Sequence, residues 1–443
     1  MLKSSQKNRK IAIVGAGPAG ITAALELRDR GFHDVTIFGV FQEAQLVTKE
    51  VDGITFDVAA CLLHYGYRNT VIPLVKRAKL DVNYITAPAD IVNHRLEAYE
   101  KSTSELIDTY LAILFYSIFF FGWLFLHRTK WRNRYAQSME TFLEKRGLRK
   151  LAKSFAMGPG GIAQGYGFLN EVSAYHAIRW FRPSLFVTPL VSRFGLGVAT
   201  IEQGYETLFK KFLSNLNYQE RKVQMARPSL GQVELTMEDG ARLLFDEVIL
   251  ACPLDQIQFP YSYLFKEDAL EVSYLFSYLF TSPSPPPFED RAYITEYIEK
   301  KIKNKALVIR TGGQTTTGDY LYWAVGYKTP DVDEAQLKQL IETQLQKECH
   351  LKIRRVHFYR SFRYNLRFSK TALAKGIPHQ LEQLQGYKNI WYSGGLLSHW
   401  DISSIYEHNR RLVNKIYYTS NRKTLFSYLN YQYRAFRSWL RLI

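Results

Sequence analysis

A chain of 443 residues, 47% apolar and 22% charged, can bury a large core in two domains or lobes, which excludes an intrinsically disordered chain. Three scattered cysteines, Cys61, Cys252 and Cys349, exclude a thiolate metal site and a redox pair; they suit packing in a reducing compartment. The net charge of +17 and the 15% aromatic content leave open an anionic partner and an extended apolar substrate.

The N-terminus is polar and lacks an apolar leader region, so no secretory signal is expected. A short β-branched strand, Ile11 to Val14, then runs into Gly15, Gly17 and Gly20, and a helical pattern follows from Pro18 to about Arg30. Gly15 permits the tight turn, Gly17 lets a pyrophosphate approach the backbone, and Gly20 lets the helix pack close to the strand. Gly15, Gly17, Pro18, Ala19 and Gly20 are therefore the dinucleotide-binding candidates, with phosphates at the helix N-terminus. Val35 to Phe38 reads as a second buried strand. An acid that would hold the adenosine ribose belongs just after it, but Gly39 stands there and the nearest acid is Glu43.

Asp52-Gly53 marks a hairpin, and His64 matches no catalytic motif, which favours a packed role. Residues 76 to about 195 read as mostly helical. Within them, 109–127 carries no formal charge and reaches the length of a bilayer span, with Arg128, Lys130, Arg132 and Arg134 following. Strands expected at 232–237, 247–251 and 389–393 complete the N-terminal domain after this run, so one crossing would split a single sheet across the membrane. A lipid-facing or substrate-channel helix, or an internal one, is expected instead. Two glycine-rich turns follow at 158–161 and 165–167.

Tyr205 to Leu213 has a helical pattern, and Glu238-Asp-Gly240 turns a β-meander. Residues 258–384 read as a second insertion, with a Pro-rich break at 282–287, a hairpin about 311–319, a helix at 333–347 and a strand near 353–359. A strand, the Gly394-Gly395 turn and a helix end the ordered pattern. Arg410, Arg411, Lys415, Arg422, Lys423, Arg434, Arg437 and Arg441 then follow Glu407 with no acid among them. This basic aromatic tail, 419–443, suits an interfacial helix on an anionic membrane or a docked helix; no nucleic-acid motif accompanies it.

Four blocks together resemble FAD-dependent oxidoreductases of the flavin amine-oxidase superfamily, most nearly the polyenoic fatty acid isomerases. They are Lys10 to Phe38, Gly165 to Tyr175, Val248 to Asp255, and Leu381 to Gly386 with Trp391 to Ser398. The resemblance implies an α/β fold: a discontinuous Rossmann-type FAD/NAD(P)-binding domain (1–75, 196–257 and 385–418) with an inserted α+β substrate lobe (76–195 and 258–384). It places the Val223 backbone at adenine and Gly394 and Gly395 at the flavin, with the following helix aimed at the cofactor. The chain departs from the superfamily at Gly39, at 41–49, which lacks the usual glycine pair, and at Gly395, where an acid is usual. Each lost charged hydrogen bond to a ligand costs about 1.5–3 kcal/mol unless another group replaces it.

The expected function is hydride transfer between flavin and a hydrophobic, unsaturated fatty-acid-like substrate, in the cytoplasm at a membrane surface. The alternatives are an amine-oxidase-like oxidase on another small molecule and a membrane-associated relative that has lost FAD. Tyr166, His399 and Tyr364 are the catalytic candidates, Trp400 a neighbour of the flavin, and Arg367 a partner for a substrate carboxylate. No metal site is expected.

Overall fold

The computed structural model describes residues 8–59, 62–85, 89–98, 111, 114, 135–148, 165–180, 198–265 and 268–419. Apart from the helical, exposed Leu111 and Leu114, the apolar run 109–127 lies outside the described residues, as does the tail from 420. No helix among the described residues is long and apolar enough to cross a membrane.

Ile11–Val14 is fully buried and lies at the centre of a five-stranded parallel sheet. Its neighbours are Val35–Phe38, which leads to Asn217–Gln219, and Glu247–Leu250, which leads to Ile390–Tyr392. Strands from four distant parts of the chain thus form one sheet. Continuous apolar runs suit it, because helices and loops cover both faces. Gln232–Met237 does not join this sheet. It pairs instead with Val223–Ser229 and Arg242–Phe245 in a separate antiparallel meander. The reason is its alternating burial, which needs one face packed and the other less covered.

The helix Pro18–Asp29 is buried from Ala19 to Leu27, so its apolar surface is wider than the single face expected. It packs on the sheet and against the C-terminal helix Ile402–Thr419. Asn409 of that helix is fully buried and donates to the Ala19 carbonyl at 2.7 Å and to the Thr22 hydroxyl at 2.8 Å. It also accepts from Ser393, the residue before the Gly394-Gly395 turn.

The stretch expected to be mostly helical also carries strands. Val82–Ile85 pairs with Val198–Ile201, and Ala89–Val92 forms an edge of a second, six-stranded sheet. The order in that sheet is Arg355–Phe368, Leu270–Ser282, Tyr320–Lys328, Val308–Gln314, Arg291–Ile294 and Ala89–Val92. The hairpin expected about 311–319 closes between the fourth and third of these. Side chains on alternate positions face opposite ways. Phe276, Tyr278, Tyr322 and Ala324 pack in one core with Leu337 and Ile341 of the helix Glu334–Thr343. Leu275, Ser277, Trp323 and Val325 alternate with them and line a cavity, which Phe276 also borders.

Candidate active site

The glycine turn divides into packing glycines and an open one. At Gly15, where φ is +122°, a Cβ would meet the Ala251 carbonyl oxygen at 2.6 Å; at Gly20 it would meet the Gly15 oxygen at 1.8 Å. Backbone contact therefore fixes both residues. At Gly17 a Cβ would meet only Ala44 Cβ, at 3.7 Å. Gly17 caps the helix without any side-chain hydrogen bond, Pro18 follows, and the first turn carries no acid. The helix amides and positive dipole end thus face open space, which fits a pyrophosphate.

Gly39 has a physical explanation. Its φ is +146°, and a Cβ there would lie 2.8 Å from the Ala16 nitrogen. The strand end passes too close to the glycine turn for an acidic side chain. The Tyr218 hydroxyl ties down this turn, donating to the Gly39 carbonyl at 3.0 Å and accepting from the Phe41 amide at 3.3 Å. Glu43 is turned outward into an ion pair with Lys222 at 2.6 Å. Val223 begins its strand four residues beyond Asn217–Gln219, the neighbour of Val35–Phe38.

After the strand Ile390–Tyr392 at the sheet's edge, a Cβ on Gly394 (φ +102°) would meet nothing within 4 Å, so this turn is open as the phosphate cradle is. Gly395 differs: a Cβ there would meet the Trp400 ring at 2.4 Å. The C-terminal helix is capped by its own neighbour, since the Ser404 amide donates to Asp401 Oδ1 at 2.8 Å. The Ser404 amide of its first turn is thus used inside the chain.

A cavity of about 220 Å³ lies between the two sheets. Tyr67, Tyr205, Asp401 and Ile402 line it from the side of the nucleotide-binding sheet, and strands of the second sheet supply Trp323, Phe362 and Tyr364, among others. Trp400 joins the two sides. Its indole Nε1 donates to the Leu366 carbonyl at 2.8 Å, and its amide donates to the Tyr166 hydroxyl at 3.1 Å.

Of the candidates, Tyr364 and Trp400 line the cavity, whereas Tyr166 and His399 do not. Tyr166 is buried, with its ring 4.9 Å from that of His399 and stacked on His176. His399 Nδ1 lies 2.9 Å from Asp401 Oδ2, which fixes the ring beside the helix cap. Arg367 is buried; it pairs with Glu271 at 3.1 Å and donates to the Tyr166 carbonyl. Its guanidinium supports the Tyr166 turn, and it is absent from the cavity lining. His64 lies in a two-residue strand paired with Val198–Ile201. Burial pushes the Cys349 thiol up to about 12, which makes it a poor nucleophile at neutral pH. Among the described residues, no group of three His, Cys, Asp or Glu side chains could hold a metal ion.

Sequence reading passed over Asp57. Its carboxylate accepts from the Thr48 hydroxyl at 2.5 Å and the Tyr205 amide at 3.1 Å, capping the helix Tyr205–Leu213, whose own cap, Gly204, has no side chain. Burial raises its pKa to about 7, against the opposing pull of these donors and of Arg310. The folded state therefore holds this proton more tightly than the unfolded chain. The resulting stability is full below pH ~4 and is lost as pH rises through about 7. Asp57→Ala is expected to cost about 1–2 kcal/mol by orphaning the Tyr205 amide. Asp57→Asn should keep an acceptor and flatten the pH dependence, which urea unfolding at pH 5 and pH 8 would measure.

Residues 18–278, more than half of the chain, match the family model for flavin containing amine oxidoreductase. No curated protein sequence matches. Among solved structures, a CLA-producing fatty acid isomerase from P. acnes superposes with a TM-score of 0.77 at 18% identity, covering 92% of this chain and 99% of that one. Putrescine oxidase bound to putrescine gives 0.70 at 13% identity, covering 92% and 99%. A putative protoporphyrinogen oxidase from Exiguobacterium sp. 255-15 gives 0.64 at 14% identity, covering 94% and 99%. These likenesses establish the shared fold, and with the family match and the open phosphate cradle they identify FAD as the dinucleotide. The chain belongs to the family of flavin-containing amine oxidoreductases.

Proposed function

We propose that this flavoenzyme is an isomerase of unsaturated fatty-acid-like substrates, removing a hydride from an activated CH2 and returning it to another carbon of the same chain. Bound flavin supplies a two-electron hydride acceptor and donor. Removal and return balance, so no external oxidant is consumed and the product has the mass of the substrate. The observation that carries the reading is the cavity between the sheets, lined by Leu275, Trp323, Phe362, Tyr364 and Trp400, the last of which packs against Gly395. These side chains suit an apolar chain, orient it by shape and exclude water from the reacting carbon. The likeness to a fatty acid isomerase agrees with this choice.

The test is anaerobic incubation of yellow holoprotein with linoleate. The expected product is a double-bond isomer of unchanged mass, formed catalytically with the flavin absorbance recovered at the end. Stoichiometric bleaching that only air reverses, with peroxide formed, would overturn the isomerase in favour of an oxidase.

A further inference from the structure

Arg291 and Arg310 are direct cross-strand partners on the two strands inside the edge strand Ala89–Val92 of the lobe sheet, and both line the cavity. Like charges placed opposite each other on neighbouring strands destabilise a sheet, and burial increases the cost. These two are only 9% and 8% exposed. The carboxylate that both contact is Asp290, which accepts from Arg310 Nε at 3.1 Å and from Arg291 Nη1. Arg291 Nε is buried and has no hydrogen-bond partner. Two guanidinium forks offer more donors than one carboxylate can satisfy. Other groups reach the pair without removing the surplus. The Tyr293 hydroxyl takes one hydrogen bond from Arg291 but is neutral, Phe56 lies 5.0 Å from Arg310 through its ring, and Asp57 is committed to Thr48 and Tyr205. Asp401, elsewhere on the lining, is held by His399 and Ser404.

We infer that Arg291 and Arg310 form the seat of the substrate's carboxylate, so that the cavity takes a free monocarboxylic acid with an apolar body. A planar carboxylate matches the guanidinium fork and restores charge balance beside Asp290. A cationic amine would meet two buried positive charges, and an ester would leave them unmatched. The inference rests on the fatty-acid reading of the same cavity but concerns binding, which can be read without turnover.

The experiment titrates holoprotein with stearate and with methyl stearate, following the fluorescence of Trp323 and Trp400 on the cavity wall. In parallel, it measures KM and kcat for linoleate and methyl linoleate. Stearate is expected to bind about 10- to 100-fold more tightly than its ester. Arg291→Gln and Arg310→Gln should each remove most of this preference, and Arg310→Lys should retain part of it. Each single variant leaves Asp290 paired with the remaining arginine, so the melting temperature should hold or rise as like-charge repulsion is relieved. Equal binding of acid and ester, binding of neither, or a preference that survives both Gln variants would overturn the inference. A lowered melting temperature with the preference intact would do the same, leaving the arginines a purely structural role. Selective stearate binding without linoleate turnover would uphold the carboxylate seat and sink the isomerase reading. Turnover of acid and ester alike would uphold the isomerase and sink the seat.

Discussion

Gly17→Ala is expected to leave the apoprotein folded and to weaken FAD binding by roughly 100-fold, the loss of two charge-assisted hydrogen bonds at about 1.5 kcal/mol each. The space in front of Gly17 is open, so a methyl group meets no protein atom closer than 3.7 Å. Its φ of −84° suits alanine as well as glycine, and the change at a cap costs less than about 1 kcal/mol. The methyl group would instead occupy the approach of the pyrophosphate to the helix amides. Titration of apoprotein with FAD, read by flavin fluorescence, measures the affinity, and thermal melting of the apoprotein measures the fold. Gly20→Ala provides the contrast. Its Cβ would sit 1.8 Å from the Gly15 oxygen, so the helix would have to leave the strand, and soluble protein should be lost. If Gly17→Ala destabilised the apoprotein as severely as it weakened binding, the turn would be a packing device and not a cofactor cradle.

Arg367→Leu is expected to lower stability by about 2–3 kcal/mol. Removing one member of a buried pair costs about 3–5 kcal/mol. The partner Glu271 keeps 38% of its side chain exposed, and water recovers part of that loss. The Tyr166 carbonyl also loses its charged donor. Because this turn holds the Trp400 amide through the Tyr166 hydroxyl, the cavity wall should loosen, and kcat should fall for every substrate alike. The discriminating readout is the acid-to-ester preference, which Arg367→Leu should leave in place. Urea unfolding gives the stability, and the two substrates give the ratio. Loss of the acid preference on Arg367→Leu would return this residue to the role its sequence position suggested.

The two arginine sets show why chemistry read along the chain can go astray. Arg367 lies in a run of aromatic and basic residues, Phe362 to Phe368, and its position beside Tyr364 suggested a ligand. Phe362 and Tyr364 line the cavity, while beyond the irregularity between Arg363 and Leu366 the strand sets Arg367 opposite Glu271, with which it pairs. Arg291 and Arg310 had no local signal. They stand in an ordinary strand and the strand after its connection, and only the antiparallel register places one opposite the other. Asn409 was equally silent. A polar residue on an otherwise amphipathic helix reads as surface, yet it is fully buried and joins the glycine-turn helix to Ser393.

What the sequence determined by itself was local: the strand Ile11–Val14, its glycine turn and helix, the hairpin at Asp52-Gly53, and the helix Tyr205–Leu213. Each follows from steric limits and hydrophobic period over a few neighbouring residues, which need no distant partner. The resemblance of four separated blocks extended this to the family and its cofactor. Tertiary structure alone decided why Gly39 excludes an acid, since the obstructing atom is the Ala16 backbone nitrogen in another element. It also decided that two arginines meet across a sheet beside the cavity. Those outcomes depend on register and on the approach of chain segments remote in sequence, and a residue's neighbours along the chain carry no record of either.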